Sequence, residues 1–223
     1  MQFRHEWKHE INFSDFMAVQ QRMRAIAQID AHANQGAYQI RSLYFDNPAD
    51  QVLREKIDGV NRREKFRIRY YNGDTSFIRL EKKSKINGLC SKQSAALSEQ
   101  EVRQLLQKED TWMVAHPQDL VKELYWNMKT KKMEPKIIVD YIREPFVYAP
   151  GNVRITLDYD LRTSFQTDQF LDSDCVTIPI PMTYAILEVK WDEFLPSIIR
   201  DAVQLKDRRT TAFSKYAACR IYG

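Results

Sequence analysis

Hydrophobic and polar residues alternate with a period of two along much of the chain, which predicts strands. Phe3 to Asn12 alternates this way, as does Tyr38 to Asp46, which is followed by the Asn47-Pro48 turn signal. Lys65 to Tyr71, Ser76 to Lys83 and Leu89 to Leu97 form a consecutive set. Asn72-Gly73-Asp74 and Ile86-Asn87-Gly88 separate its members and read as turns. Lys136 to Glu144, Val153 to Arg162 and Tyr184 to Asp192 bring the set to about eight. A 3.6-residue period appears between them. Ser14 is placed to cap a helix over Asp15 to Ala27, with Phe16, Val19, Met23 and Ile26 on one stripe. Ser98-Glu99-Gln100-Glu101 has the form of a capping box and opens a helix to about Lys108. Asp119 to Lys131 is helical, and Pro135 helps to end it. Pro196 opens a short helix to about Leu205, and Ser214 to Tyr222 forms a last one. Gln51 to Asp58 is ambiguous, and Ser164 to Met182 reads as irregular. Hairpins dominate and no linker divides the chain. The fold class expected is α+β, one domain over residues 1–223, with a large antiparallel sheet or barrel.

The same alternation sorts the charges. Same-parity residues of a strand share a face. Lys65, Arg67 and Arg69 face together, opposite Phe66, Ile68 and Tyr70. Arg79, Glu81 and Lys83 share a face, as do Glu6 with Lys8, Arg154 with Thr156 and Asp158, and Glu188 with Lys190. An ordinary antiparallel sheet also puts its core on one face and solvated charges on the other. What departs from it is the repetition over five strands and the sign. Between Arg62 and Lys92 there are ten basic residues against three acidic ones. The whole chain of 223 residues carries a net charge of only +4, so the excess is local. Were the sheet to close, this face would line a lumen. Like charges repel there in a partly desolvated space, so a basic lumen implies a polyanionic ligand. Arginine supplies forked donors suited to phosphate oxygens, and lysine supplies point charges.

Composition narrows the ligand. Readers of single-stranded nucleic acid interleave aromatics with cations for base stacking. Here Trp7, Phe66 and Tyr70 sit opposite the basic parity, so a ligand of phosphates without bases is expected and nucleic acid is not. There is no GxxxxGK[ST] motif, and with only 6 glycines phosphate would be held by side chains. No apolar stretch approaches the ~18 residues of a spanning helix. Met1 to Glu6 holds no apolar leader segment. Cys90, Cys175 and Cys219 are widely spaced and form no CxxC, which fits reduced thiols and a cytoplasmic location. Glu188 has two readings: an ion pair with Lys190, or a carboxylate holding a hard divalent ion against ligand phosphates. His5 and His9 share a strand face without a third ligand and read as edge residues.

Seven stretches together resemble the VTC domain, the polyphosphate polymerase domain of the triphosphate tunnel metalloenzymes. They are Glu6-Trp7-Lys8, Ser42 to Asn47, Phe66 to Tyr71, Leu80 to Lys83, Val153 to Asp158, Ile186 to Lys190 and Phe213 to Tyr216. They occur in the family's order over nearly the whole chain. The resemblance implies an eight-stranded antiparallel β-barrel with flanking helices, a basic interior and a carboxylate-bound Mn2+ or Mg2+. It implies transfer of the ATP γ-phosphate to a polyphosphate chain threading the tunnel. Carried over, Lys8, Arg67, Arg69, Lys83 and Arg154 would act on the transferred phosphates. Lys56, Lys92, Arg143, Ser214 and Lys215 would bind phosphate, and Glu188 with Glu6 would hold the metal. Lys56 stands where the family usually has Arg. Hydrolytic relatives begin Glu-x-Glu-x-Lys; here the matching residues are Arg4, Glu6 and Lys8. One carboxylate fewer favours phosphate over water as acceptor. A triphosphatase or polyphosphate hydrolase of the same fold, and a non-catalytic polyphosphate-binding module, are the alternatives. The expected partners are ATP and inorganic polyphosphate or triphosphate. The chain has no membrane segment of its own, and the family's membrane-tethered complexes leave room for a membrane partner protein.

Overall fold

Strand pairing organises the chain. The computed structural model describes residues 4–33, 35–86, 89–206 and 210–223. In chain order the elements are β1 (His5–Ile11), α1 (Phe13–Ile26), β2 (Gln28–Ile29), β3 (Tyr38–Asp46), α2 (Gln51–Ile57), β4 (Arg62–Tyr71), β5 (Asp74–Ile86), β6 (Leu89–Leu97) and α3 (Glu99–Leu106). They continue as α4 (Asp119–Lys131), β7 (Glu134–Tyr148), β8 (Val153–Ser164), β9 (Ile178–Pro179), β10 (Ala185–Trp191), α5 (Ser197–Val203) and α6 (Lys215–Tyr222). The sheet runs β1-β10-β8-β7-β3-β4-β5-β6, with β2 added to β7 and β9 to β8. Every pairing is antiparallel. The register shifts at Tyr44/Phe45 of β3, at Arg69/Tyr71 of β4 and at Asp140/Ile142 of β7. Such bulges bend strands and sharpen their twist. The eight long strands accordingly form a curled sheet, with α1, α3, α4 and α5 against its outer side.

Two apolar clusters cover that outer face. Ile155, Leu157, Leu187 and Val189 of β8 and β10 pack under Phe16, Val19 and Met23 of α1 and Ile199 and Val203 of α5. Leu43, Ile68 and Leu80 pack with Val102 and Leu105 of α3 and Val121 and Leu124 of α4. The concave face is left to the charged parity. No helix among the described residues is long and apolar enough to cross a membrane.

β3, β6 and α4 lie at the expected bounds, and Ser98 and Glu101 form the expected capping box on α3. Several expectations are corrected. Asn12, not Ser14, caps α1: its side chain accepts from the Asp15 amide (2.9 Å), and Asp15 reaches back to the Asn12 amide. Pro135 does not end α4, which stops at a left-handed Lys132 (φ 54°); Pro135 sits inside β7 beside the bulge. Polar ends hid the length of β5, and Pro135 and Pro145 hid that of β7, whose backbone pairing runs on through both prolines. Gln51 to Asp58 resolves as α2, and the irregular stretch holds β9. Phe3 and the Asn87-Gly88 turn lie outside the described residues.

Asp46 ties the sheet to two helices that border its concave side. This carboxylate at the end of β3 is fully buried. It accepts from the Val52 and Leu53 amides at the start of α2 (2.9 and 3.1 Å) and from Tyr216 Oη of α6 (2.5 Å). Arg220 of α6 in turn reaches Asp50 (2.9 Å). Asp46→Ala would leave the buried Val52 amide and Tyr216 hydroxyl, and the part-buried Asn47 and Leu53 amides, without their acceptor. A loss of about 2–4 kcal/mol in stability is expected, read by denaturant unfolding, against about 1 kcal/mol for Tyr216→Phe.

Candidate functional site

The curl gathers the charged parity of five strands into one cavity. It is lined by Lys8 of β1, Tyr44 of β3, Lys65, Arg67 and Arg69 of β4, Lys83 of β5, Tyr141 and Arg143 of β7, and Ile186, Glu188 and Lys190 of β10. Phe213, Ser214 and Lys215 complete it from the start of α6, and it is a narrow cavity of about 70 Å3, open in part to solvent. Alternation decides which side chains of each strand face inward, and the pairing of the strands decides which of them meet. On β4 and β5 register sets Arg67 opposite Glu81 and Lys65 opposite Lys83; on β1 and β10 it sets Lys8 opposite Glu188 and Glu6 opposite Lys190.

Buried carboxylates orient the cations. Glu81 accepts from Arg67 (2.6 Å) and pairs with Lys92 of β6. Asp158 of β8 takes Arg143 in a two-pronged contact (2.6 and 2.7 Å) and Lys215 at 2.6 Å. Glu6 pairs with Lys8 (2.7 Å), and Glu188 with Lys190, as one of the two sequence readings had it. Arg69 is held by uncharged partners, Ser42 Oγ (3.1 Å) and Tyr141 Oη (2.8 Å). Among the described residues no carboxylate lies within ion-pair distance of Lys65 or Lys83. Eight cationic side chains line the cavity, and four carboxylates touch them. The balance is a surplus of positive charge.

The titration shifts report that surplus. Burial, Arg67, Lys8 and Lys215 push the Lys65 ammonium down to about 8, with Tyr44 opposing. Burial and the surrounding cations set Lys83 and Lys190 well below the lysine range. Burial pushes the Tyr44 phenol up, but Arg67, Lys65 and Arg69 outweigh it and bring it down to about 7. Burial likewise opposes ionisation of Glu6, yet Lys8 and Lys190 hold it at about 2.

The expected residues fall into two groups. Lys8, Arg67, Arg69, Lys83, Arg143, Glu188, Ser214 and Lys215 come together in the cavity, with Glu6 beside Lys8. Three others do not line it. Lys92 is half exposed and reaches in only to Glu81. Arg154 turns to Asp30 (3.1 Å) and Tyr38 Oη (2.8 Å) at one end of the sheet. Lys56 lines an adjoining cavity with Phe213 and Ser214 at the other end. Ser214 also caps α6. Tyr44 and Tyr141 were missed. Tyr44 accepts from Arg67 (3.0 Å) and packs at a tilt against Tyr216, with ring centroids 5.3 Å apart. The only signal for them was parity with Ser42 and Arg143. His5 stacks on Trp191, and no group of three or more His, Cys, Asp or Glu is gathered among the described residues.

A family model described as the VTC domain matches residues 3–221. No curated protein sequence matches the chain. Among solved structures, a Bacillus halodurans protein described as a candidate adenylate cyclase is similar, with a TM-score of 0.52 at 14% identity, over 85% of this chain and 80% of that one. A Pyrococcus horikoshii protein gives 0.47 at 13% identity, over 92% of each chain. At these identities the likeness speaks to the fold alone, and the first match carries it.

A pH dependence follows. A lysine at about 8 in the fold and 10.5 in the unfolded chain gives up its proton first when folded. Between those values the unfolded chain binds more protons, so stability rises with pH and is lost as pH falls through the folded value. Tyr44, at about 7 against 10.0, acts in the same direction. Cys219, pushed up to about 12 by burial from 9.0, acts in the opposite direction above that lower value. The ligand-free melting temperature should therefore climb from about pH 7 to about pH 9. Triphosphate at 100-fold excess over Kd should add roughly 2.7 kcal/mol and flatten the climb, less so in high salt. Thermal melts with and without triphosphate check this, and a melt indifferent to the anion at low salt would sink the anion-cavity reading.

Proposed function

Since the chain belongs to the VTC domain family, we propose that it is a polyphosphate polymerase, moving the γ-phosphate of ATP onto the end of a polyphosphate chain. The observation that carries the reading is the walled cavity with twice as many cations as carboxylates. Phosphoryl transfer needs positioning and charge neutralisation more than covalent help. Arg67 and Arg69, only 7% and 4% exposed, present forked donors held in place by Glu81, Tyr44, Ser42 and Tyr141. Lys8, Lys65 and Lys83 add point charges from two sides of the cavity. Arg143 and Lys215, fixed on Asp158, hold the phosphates behind them, with Ser214 at the start of α6. Arg154, Lys92 and Lys56 are assigned the outer phosphates, matching their places at the rim. The acceptor is an anionic phosphate oxygen, so no general base is required.

Glu188 and Glu6 are diagonal neighbours on paired strands. An oxygen-only pair suits a hard divalent ion such as Mg2+ or Mn2+ that completes its shell with phosphate oxygens and water. When bound there, the ion would neutralise charge on the transferred phosphates. Lys8 and Lys190 pair with the two carboxylates and orient them, and together they hold Glu6 ionised. Arg4 supports a phosphate acceptor over water. It stands where hydrolytic relatives carry a carboxylate, and it is drawn away to Asp192 (2.7 Å).

Incubation with ATP and Mn2+ tests the reading. ADP with long chains supports it, whereas phosphate release without chains would turn it to hydrolysis. Two variants separate binding from chemistry. Arg67→Ala is expected to weaken polyphosphate binding by about 1.5–3 kcal/mol and to lose synthesis. Glu188→Gln keeps the shape and removes a charge that repels phosphate. It should abolish synthesis while leaving binding in EDTA intact or tighter. If Glu188→Gln instead melts lower and still makes polyphosphate at the original rate, Glu188 is a structural partner of Lys190.

A further inference from the structure

The like-charge ladder does not stop at the cavity. Beyond Lys65 opposite Lys83, with Lys92 of β6 next in line, the register of β4 and β5 puts Arg63 opposite Lys85. Like charges directly opposite each other in an antiparallel pair are destabilising, and here two such rungs follow in succession. Alternate residues advance by about 6.6 Å along a strand, so the outer rung stands about 13 Å from Arg67. Neither member is neutralised. Arg63 Nη1 donates to the Val60 carbonyl (2.6 Å), and among the described residues no carboxylate lies within ion-pair distance of Arg63 or Lys85. The nearest acid in sequence, Glu64, belongs to the opposite face, where it accepts from Ser84 (3.1 Å) and meets Lys82. Lys56 of α2 shares the neighbourhood: burial first, then Arg63, Lys8 and Lys85, lower its pKa.

The other end of the sheet carries fewer unanswered cations, although Arg69 and Arg79 stand opposite each other there. Arg154 is paired with Asp30, Arg4 with Asp192, and Arg79 lies over the Phe77 ring at 4.6 Å. A polyanion too long for the cavity therefore finds the Arg63–Lys85 rung and Lys56 at one mouth, and at the other mainly cations already engaged by Asp30, Asp192 and the Phe77 ring.

We infer that the Arg63–Lys85 rung, with Lys56 beside it, is an outer anion-binding site that receives the part of a polyphosphate chain emerging from the cavity. The inference rests on the polyphosphate reading and adds to it a direction and a dependence on chain length. A triphosphate ends inside the cavity and does not reach the rung; a long chain crosses it.

The test is binding of tripolyphosphate and of long-chain polyphosphate, in EDTA, to the original chain, to the double variant Arg63→Gln with Lys85→Gln, and to Arg79→Gln. The double variant should bind long chains about fivefold more weakly and with a shallower salt dependence. Its affinity for tripolyphosphate should stay within about twofold, and its ligand-free melting temperature should hold or rise, because a repulsive rung is gone. Equal loss for both anions, no loss for the long chain, or a length-dependent loss in Arg79→Gln would each overturn the site. An original chain that binds neither anion would remove the polyphosphate reading itself, and the rung with it; that failure is visible before any variant is made.

Discussion

Mutual repulsion among eight lysine and arginine side chains on one concave face is the constraint that the rest of the structure answers. Four carboxylates are placed against them, too few to neutralise the face but enough to aim it. Glu81 holds one cation from each neighbouring strand, and Asp158 holds one from β7 and one from α6, so the fixed geometry of the arginine forks is set by acids that ligand need not touch. What remains unanswered, at Lys65, Lys83 and Arg69, is charge in want of an anion. The outer face carries the converse burden. Its two apolar clusters, capped by α1 with α5 and by α3 with α4, must supply enough burial to hold a sheet whose inner face opposes closure.

Much of this was legible in the alternation of the strands. Parity alone sorted Lys65, Arg67 and Arg69 from Phe66, Ile68 and Tyr70, because a strand repeats every two residues whatever it pairs with. Which strands become neighbours is not local information. Asp158 could be assigned to the polar face of its strand, but its bonds to Arg143 and Lys215 depend on β7 and α6 arriving beside it. Tyr44 was hidden for the same reason. An aromatic on the polar parity reads as ordinary until Arg67 is brought opposite it. The misplaced α1 cap had a different origin: Asn12 and Ser14 are both good caps, and the reciprocal bond from Asp15 decides for Asn12.

The residues that the resemblance implies and those that the charge pattern isolates largely coincide. Periodicity isolates the basic face without reference to relatives, and the VTC domain match covers the chain without reference to its geometry. They diverge at the rim. Arg154, Lys92 and Lys56, which the resemblance alone implies, sit at the ends or edge of the cavity, where partners on this chain already engage the first two.

The pairing of β1 with β10 brings Lys8 against Glu188, residues far apart in the sequence. Contacts of that separation form only after a large loop is closed, and chains rich in them fold slowly. In the unfolded chain the cations are dispersed in water and repel little. Repulsion is incurred late, as the curl closes and β1 and β10 bring Lys8 and Lys190 toward Lys83. A polyanion present at that moment would lower the barrier as well as the final free energy, so the ligand of this cavity is also suited to act as a template for the folding of the protein that binds it.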